Sequence, residues 1–301
     1  MSLSRRNFLK KAGLASAGFA GLATLPALGY SRIAGANNRI RVGLVGFSDR
    51  AKNALVPAFM NHAPGLDFEI VGISDIWNRR RDEGRAFMKE RFGMDVKTWR
   101  NNDEMYDSGE VDAVIISTAD FQHALHTVQA AQAGKDAYVE KPFAETMEDG
   151  RAALQAVREA GIIVQIGSQR RSGRNYHAAH EFIESGAFGS ITMVEMSWNV
   201  NQPGRWRRPD LVASIQESDV DWARYQMNRP RTAWDPRKYV EYRLFWPYSS
   251  GIPGQWMSHQ IDTVHWFSGL EYPRSVTANG GIYMWKDGRS NFDTMTAVFD
   301  Y

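Results

Sequence analysis

Apolar runs that alternate with helix-length stretches constrain this chain more than any other feature of it. Ile40–Gly46, Phe68–Asp75, Val111–Thr118 and Asp136–Glu140 are short and mostly apolar, and they end in small or polar residues. A run without in–out alternation suits a parallel strand covered on both faces. The stretch from Arg50 to Asn61 and that from His123 to Ala133, stopped by Gly134, are spaced as the crossover helices. Strands and helices in this order predict an α/β fold with a doubly wound parallel sheet, whose ligands sit at the carboxyl ends of the strands.

The first strand-to-helix turn is Gly46-Phe47-Ser48-Asp49-Arg50-Ala51. Laid on G-x-G-x-x-G/A, Gly46 and Ala51 fit, and Ser48 stands where the second glycine lets a pyrophosphate approach the backbone. The second strand closes on Asp75, 29 residues after Gly46. A carboxylate there accepts hydrogen bonds from the ribose hydroxyls of an adenosine, which points to NAD. Arg79, Arg80 and Arg81 follow directly and keep NADP open.

Composition narrows the rest. With 301 residues, 43% hydrophobic and 23% charged, the chain has room for two domains, each with its own core. Residues 1–36 hold Arg5, Arg6, Lys10, Lys11 and Arg32 and no acid, so the remainder carries 31 basic against 34 acidic side chains. That balance gives no basic surface for nucleic acid. The absence of cysteine excludes disulfides, thiolate nucleophiles and cysteine-held metals. Ser4-Arg5-Arg6-Asn7-Phe8-Leu9-Lys10 resembles a twin-arginine export signal, and the small-residue apolar stretch from Ala12 to Leu28 follows it. The other reading of that stretch is a membrane helix, for which its glycines and Pro26 are poorly suited. A periplasmic or otherwise exported protein, handled by the twin-arginine machinery, is expected.

Glu140-Lys141-Pro142 ends the fourth strand, preceded by Ala133-Gly134-Lys135, and Thr118-Ala119-Asp120-Phe121-Gln122-His123 follows the third. With "AGKDAYVEKPFAETMEDG" (133–150), "GIIVQIGSQRRSGRN" (161–175) and "GAFGSITMVEMSWN" (186–199), the chain resembles the Gfo/Idh/MocA oxidoreductases from about Ile40 to Tyr301. The resemblance implies a Rossmann domain followed by an α+β domain with an open, mostly antiparallel sheet. It also implies a nicotinamide over that sheet, with Lys141 in the active site and His123 bordering the cofactor. Motif and resemblance together give Gly46, Ser48, Arg50, Asp75, Thr118, His123, Glu140 and Lys141 as cofactor-binding residues.

The family's second-domain motif reads roughly G-G-G-x-x-D-x-x-x-H-x-x-D. Here Gly251 to Asp262 matches its histidine with His259 and its last aspartate with Asp262, while Gln255 stands where an aspartate is usual. In a regular helix Gln255, His259 and Asp262 share a face. His259 and Lys141 are then the candidate acid/base pair, with Gln255 beside them, although an amide cannot transfer a proton. Eight of the ten tryptophans lie between Trp198 and Trp285, and Arg243, Trp246 and Asp262 are the candidate substrate residues. Flat rings beside guanidinium forks suit sugar faces and hydroxyls, and packing on a sheet accounts for other aromatics. His177 with His180 and His259 with His265 lack the carboxylates of a metal site, so no metal is expected.

The expected organisation is a signal over 1–36, a nucleotide domain over 37–167 and a substrate domain over 168–301, forming homo-oligomers through the second sheet. The expected activity is hydride transfer at a carbinol carbon of a sugar, sugar derivative or glycoside by a tightly held NAD(P). The alternatives are a redox-neutral NAD-dependent glycosidase or lyase and, from Ser48 and Gln255, a non-catalytic sugar- or nucleotide-binding module.

Overall fold

The computed structural model describes Arg39–Tyr301; the twin-arginine motif and the apolar stretch after it fall within residues 1–38, outside the described residues. β1 (Ile40–Val45), β2 (Phe68–Ser74), β3 (Lys97–Trp99), β4 (Ala113–Ile116), β5 (Asp136–Val139) and β6 (Val164–Ile166) form one sheet in the order β3-β2-β1-β4-β5-β6. Every described pairing in it is parallel. The order reverses between β1 and β4, and that switch point opens a crevice above the strand ends.

The crossovers are α1 (Val56–Leu66), α2 (Asn78–Phe92), α3 (Asn102–Asp107), α4 (His123–Gln132) and α5 (Met147–Ala160). One apolar cluster packs Leu44, Ile70, Ile73 and Met88 around Phe47; a second joins Val45, Val114, Ile116 and Val139. Gly84 on α2 shows how close helix and sheet lie, since a Cβ there would stand 2.5 Å from Ile73 Cδ1. Helix ends follow local chemistry. Asn101 accepts from Glu104 N and Thr146 from Asp149 N, while Gly93 and Gly161 close their helices in the left-handed region.

Beyond β6 the chain forms α6 (Arg174–Glu184), the short α7 (Pro209–Ser214), α8 (Trp222–Tyr225) and α9 (Pro236–Val240), and then α10 (Ser258–Ser268). Residues 189–203 are irregular. β7 (Ser275–Gly281) and β8 (Thr294–Asp300) make a small antiparallel sheet, and the unit from Ile40 to Tyr301 is one compact body. A mostly aromatic cluster of Phe121, Trp222, Tyr225, Phe245 and Tyr248, with Leu244, packs the loop after β4 against the second half. Buried acids add polar anchors. Glu241 takes Arg207 and Arg237 at 2.9 Å each, and Asp149 takes Asn228 at 2.7 Å and Arg229 at 3.0 Å.

Candidate active site: a dinucleotide cleft and a buried acid hub

A cleft of about 630 Å³ lies over the ends of β1, β2 and β4, and Gly46, Ser48, Arg50, Asp75, Thr118 and Arg243 all line it. Gly46 has φ +83°, and a Cβ on it would stand 2.8 Å from Thr118 Cγ2, so only glycine makes this turn cleanly. Ser48 has its own reason to be serine. Its Oγ accepts from Ala51 N at 3.2 Å and donates to Ser117 Oγ at 3.4 Å, capping the π-helical turn Ala51–Leu55 that leads into α1. Asp75 accepts from Phe47 N at 2.8 Å and from Trp77 N at 2.9 Å, which ties the first turn to the second; burial pushes its pKa up. The arginines after it are already engaged: Arg79 with Glu83, Arg80 with Asp49 and Glu83, and Arg81 with the Asp75 carbonyl.

These features fit a dinucleotide. The cleft has ligand-pocket dimensions, Gly46 leaves a cradle that a side chain would fill, and Thr118 Oγ1 is buried there without a hydrogen-bond partner.

Lys141 follows β5, before the cis Lys141–Pro142 bond, and its Nζ donates to Gln255 O at 2.9 Å. Burial lowers its pKa, Asp120 and Glu140 work against that, and Arg243 and Arg50 add to it. Glu140 is buried and pairs with Arg50 at 2.9 Å. Neither Glu140 nor Lys141 is among the residues that line the cleft, and the charge nearest in effect to Lys141 is Asp120, 1% exposed. Its carboxylate accepts from Gln255 Nε2 at 2.5 Å, Ser249 Oγ at 2.6 Å and Tyr242 OH at 3.3 Å, with Arg243 Nη2 at 3.9 Å. Glu145 lies close by. Its Oε2 accepts from Ser250 N at 3.0 Å, its buried Oε1 has no partner, and burial together with the Asp120 charge pushes its pKa up to about 7. Sequence reasoning passed over both acids. Asp120 stands inside the Thr118–His123 motif and Glu145 four residues past Lys141, so the only available signal was acid in otherwise small or apolar company.

Several expectations need correction. His123 lies outside the cleft lining. It is 2% exposed, with Nδ1 2.7 Å from Pro142 O and Nε2 3.2 Å from Thr118 O, so it braces the Lys141 loop from behind. Gln255, His259 and Asp262 have different partners. Gln255 lies in the π-helical turn Pro253–Met257, and its amide reaches inward to Asp120, whereas Asp262 on α10 pairs with Arg171 at 2.9 Å. Trp246 is 55% exposed and outside the cleft lining, because its backbone is held at Ser290.

His259 lines a second, smaller pocket with Arg170, Tyr176 and Trp198. Burial, and then repulsion by Lys141, Arg170 and Arg50, lowers its pKa to about 4, leaving a neutral imidazole at physiological pH. The paired histidines serve packing: His180 stacks on Trp266 at 5.1 Å, and His265 meets Tyr301 OH at 2.8 Å.

Strand order, glycine turn and acid at the end of β2 define the class, a dinucleotide-binding Rossmann domain. Residues 40–168 match the family model GFO_IDH_MocA, described as "Oxidoreductase family, NAD-binding Rossmann fold". The chain is 28% identical over 227 residues to levoglucosan dehydrogenase of Pseudarthrobacter phenanthrenivorans, covering 67% of this chain and 56% of that one. It is 27% identical over 179 residues to the NADP(+) scyllo-inositol 2-dehydrogenase IolW of Bacillus subtilis, covering 58% and 47%. The chain thus spans about half the length of these curated relatives. Among solved structures, the WlbA dehydrogenase of Bordetella pertussis, in complex with NADH and UDP-GlcNAcA, shares the fold. Its TM-score is 0.64 at 24% identity, over 87% of this chain and 67% of that one.

Proposed function

We propose that the protein is an exported NAD(P)-dependent oxidoreductase acting on a carbinol carbon of a sugar or sugar derivative. The observation that carries this reading is Lys141, held by Gln255 O beside the buried Asp120 hub at the edge of a Rossmann cleft. Gly46, Ser48 and Thr118 would hold the diphosphate end of the dinucleotide, and Asp75 its adenosine ribose. When bound, the nicotinamide supplies the hydride-exchanging ring.

The protein's own residues manage the proton. Lys141 donates a hydrogen bond to the reacting hydroxyl oxygen, and His259, uncharged because its pKa is near 4, is free to accept a proton. Gln255 positions Lys141 through its backbone carbonyl without titrating, its side-chain amide being fixed on Asp120. The relatives named for levoglucosan and scyllo-inositol support a polyhydroxylated substrate. Arg5 and Arg6 support export by a route that carries folded proteins, so the cofactor would be loaded first and held tightly.

The experiment has two arms. Small molecules released on denaturing the purified protein are identified by mass spectrometry, and turnover on a sugar and polyol panel is compared with that of Lys141→Ala. Released or rebound NAD(P), and a loss of about 10²–10⁴ in turnover in Lys141→Ala, are expected for an acid/base group. Near-normal turnover in that variant removes Lys141 from the proton step, and a parent protein that binds NAD(P) yet turns over no member of the panel leaves a binding module.

A further inference from the structure

We infer that the substrate carries a carboxylate, as in a uronic or aldonic acid, held by Arg170 against the ring of Trp198 beside His259. This rests on the carbohydrate reading above and adds the chemical class of the ligand.

Arg170 belongs to the 3-10 turn Gln169–Ser172 that follows β6. Its Nη1 donates to His259 O at 3.2 Å, and its guanidinium carbon stands 5.4 Å from the Trp198 ring centre and 5.6 Å from that of Tyr176. These residues, with Gln169 and Gly173, line an open pocket of about 300 Å³, the lower end of the range for small-molecule sites.

Charge in this region is unevenly distributed. Arg171 is neutralised by Asp262 and Arg50 by Glu140. Arg170, by contrast, makes no ion pair among the described residues; it meets one carbonyl and two aromatic faces. Lys141 likewise donates to a carbonyl. His259 feels both as repulsive charges. A guanidinium has five donors, and one of these is engaged by His259 O, so a fork remains for a planar acceptor pair. A carboxylate meets that fork with two parallel hydrogen bonds, while the apolar face of the attached ring lies on Trp198. A neutral hydroxyl takes one donor and leaves the charge unanswered. The site also differs from the dinucleotide cleft, whose lining includes Arg50 and not Arg170.

The test is calorimetric binding to the purified full chain. D-glucuronate, D-galacturonate and D-gluconate are each paired with a neutral partner: D-glucose, D-galactose and D-glucitol. At least one acid is expected to bind about 10- to 100-fold tighter than its partner, the scale of a charge-assisted pair. Arg170→Gln should reduce that ratio to within about two-fold, and Arg170→Lys, which keeps the charge but not the fork, should retain part of it. A ratio near unity for every pair, or a preference that survives Arg170→Gln, overturns the inference. Nicotinamide reduction, followed separately by absorbance, distinguishes the two claims. Acids preferred but never oxidised would remove the oxidoreductase reading and leave this one standing. Neutral sugars oxidised while acids are not preferred would do the reverse.

Discussion

Gln255 donates its side-chain amide to the buried carboxylate of Asp120 across 2.5 Å, joining two residues 135 positions apart. The contact makes the loop after β4 and the π-helical turn before α10 one unit. It also explains how an amide can occupy a position at which proton transfer was expected. Asp120 supplies the fixed charge, and Gln255 is the donor that satisfies it.

Asp120→Asn should destabilise the protein by about 1–3 kcal/mol, because Gln255, Ser249 and Tyr242 then share a neutral acceptor. Urea unfolding checks the loss. In a double-mutant cycle with Ser249→Ala the two effects should fall short of additive, since Ser249 gives its hydroxyl to the same carboxylate. Full additivity would separate them.

His259 should titrate near pH 4 in the folded protein, against 6.5 for the ordinary imidazole. The lowered value means that the folded state disfavours the charged ring, so stability from this group is complete above 6.5 and declines as pH falls towards 4. Imidazole NMR shifts report it. Lys141→Met removes one repelling cation and should raise the His259 value; an unchanged midpoint would show that Lys141 does not contribute, leaving burial and the two arginines.

Glu145 has the opposite sign. With its pKa raised to about 7, it favours the folded state fully below about 4.5 and loses that contribution as pH rises through 7. Glu145→Gln should therefore be more stable than the parent at pH 8, by about 1–3 kcal/mol, and flatter between pH 5 and 8. Thermal melts across that range test it, and parallel curves for the two proteins would refute it.

Asp293 governs the small sheet. Burial works against its charge, yet backbone N–H groups of Trp285, Tyr283 and Met284 outweigh this and lower its pKa to about 2. Its contribution is present above about pH 4 and is lost as pH falls towards 2. In Asp293→Asn, amide exchange in Ser275–Gly281 and Thr294–Asp300 should be faster than in the parent at pH 6, and the gap should narrow near pH 2.

Legibility in the sequence followed burial. β1, β2, β4 and β5 were readable because Leu44, Ile73, Ile115 and Val139 are shut away from solvent, so their runs are largely apolar, with charges such as Arg41, Glu69 and Asp136 near their starts. β3 was not: Lys97 and Thr98 are exposed, and a three-residue edge strand carries no period. The turn at Gly46 and the acid at Asp75 could be read because local geometry demands them. Asp120 could not, since its partners Ser249 and Gln255 are brought to it only by the tertiary fold. The π-helical winding of Pro253–Met257 was likewise illegible, since residue spacing alone does not reveal it.

The burial of Asp120 also bears on how fast the cleft can breathe. Drawing the second half away from the strand ends means withdrawing Ser249 and Gln255 from a carboxylate that is 1% exposed. Until water reaches it, that charge stands alone in a dry setting, at a cost of several kcal/mol. Separating the two halves therefore carries a charge-desolvation barrier at Asp120, in addition to the aromatic contacts of Phe121 and the Asp149 pairs that join them.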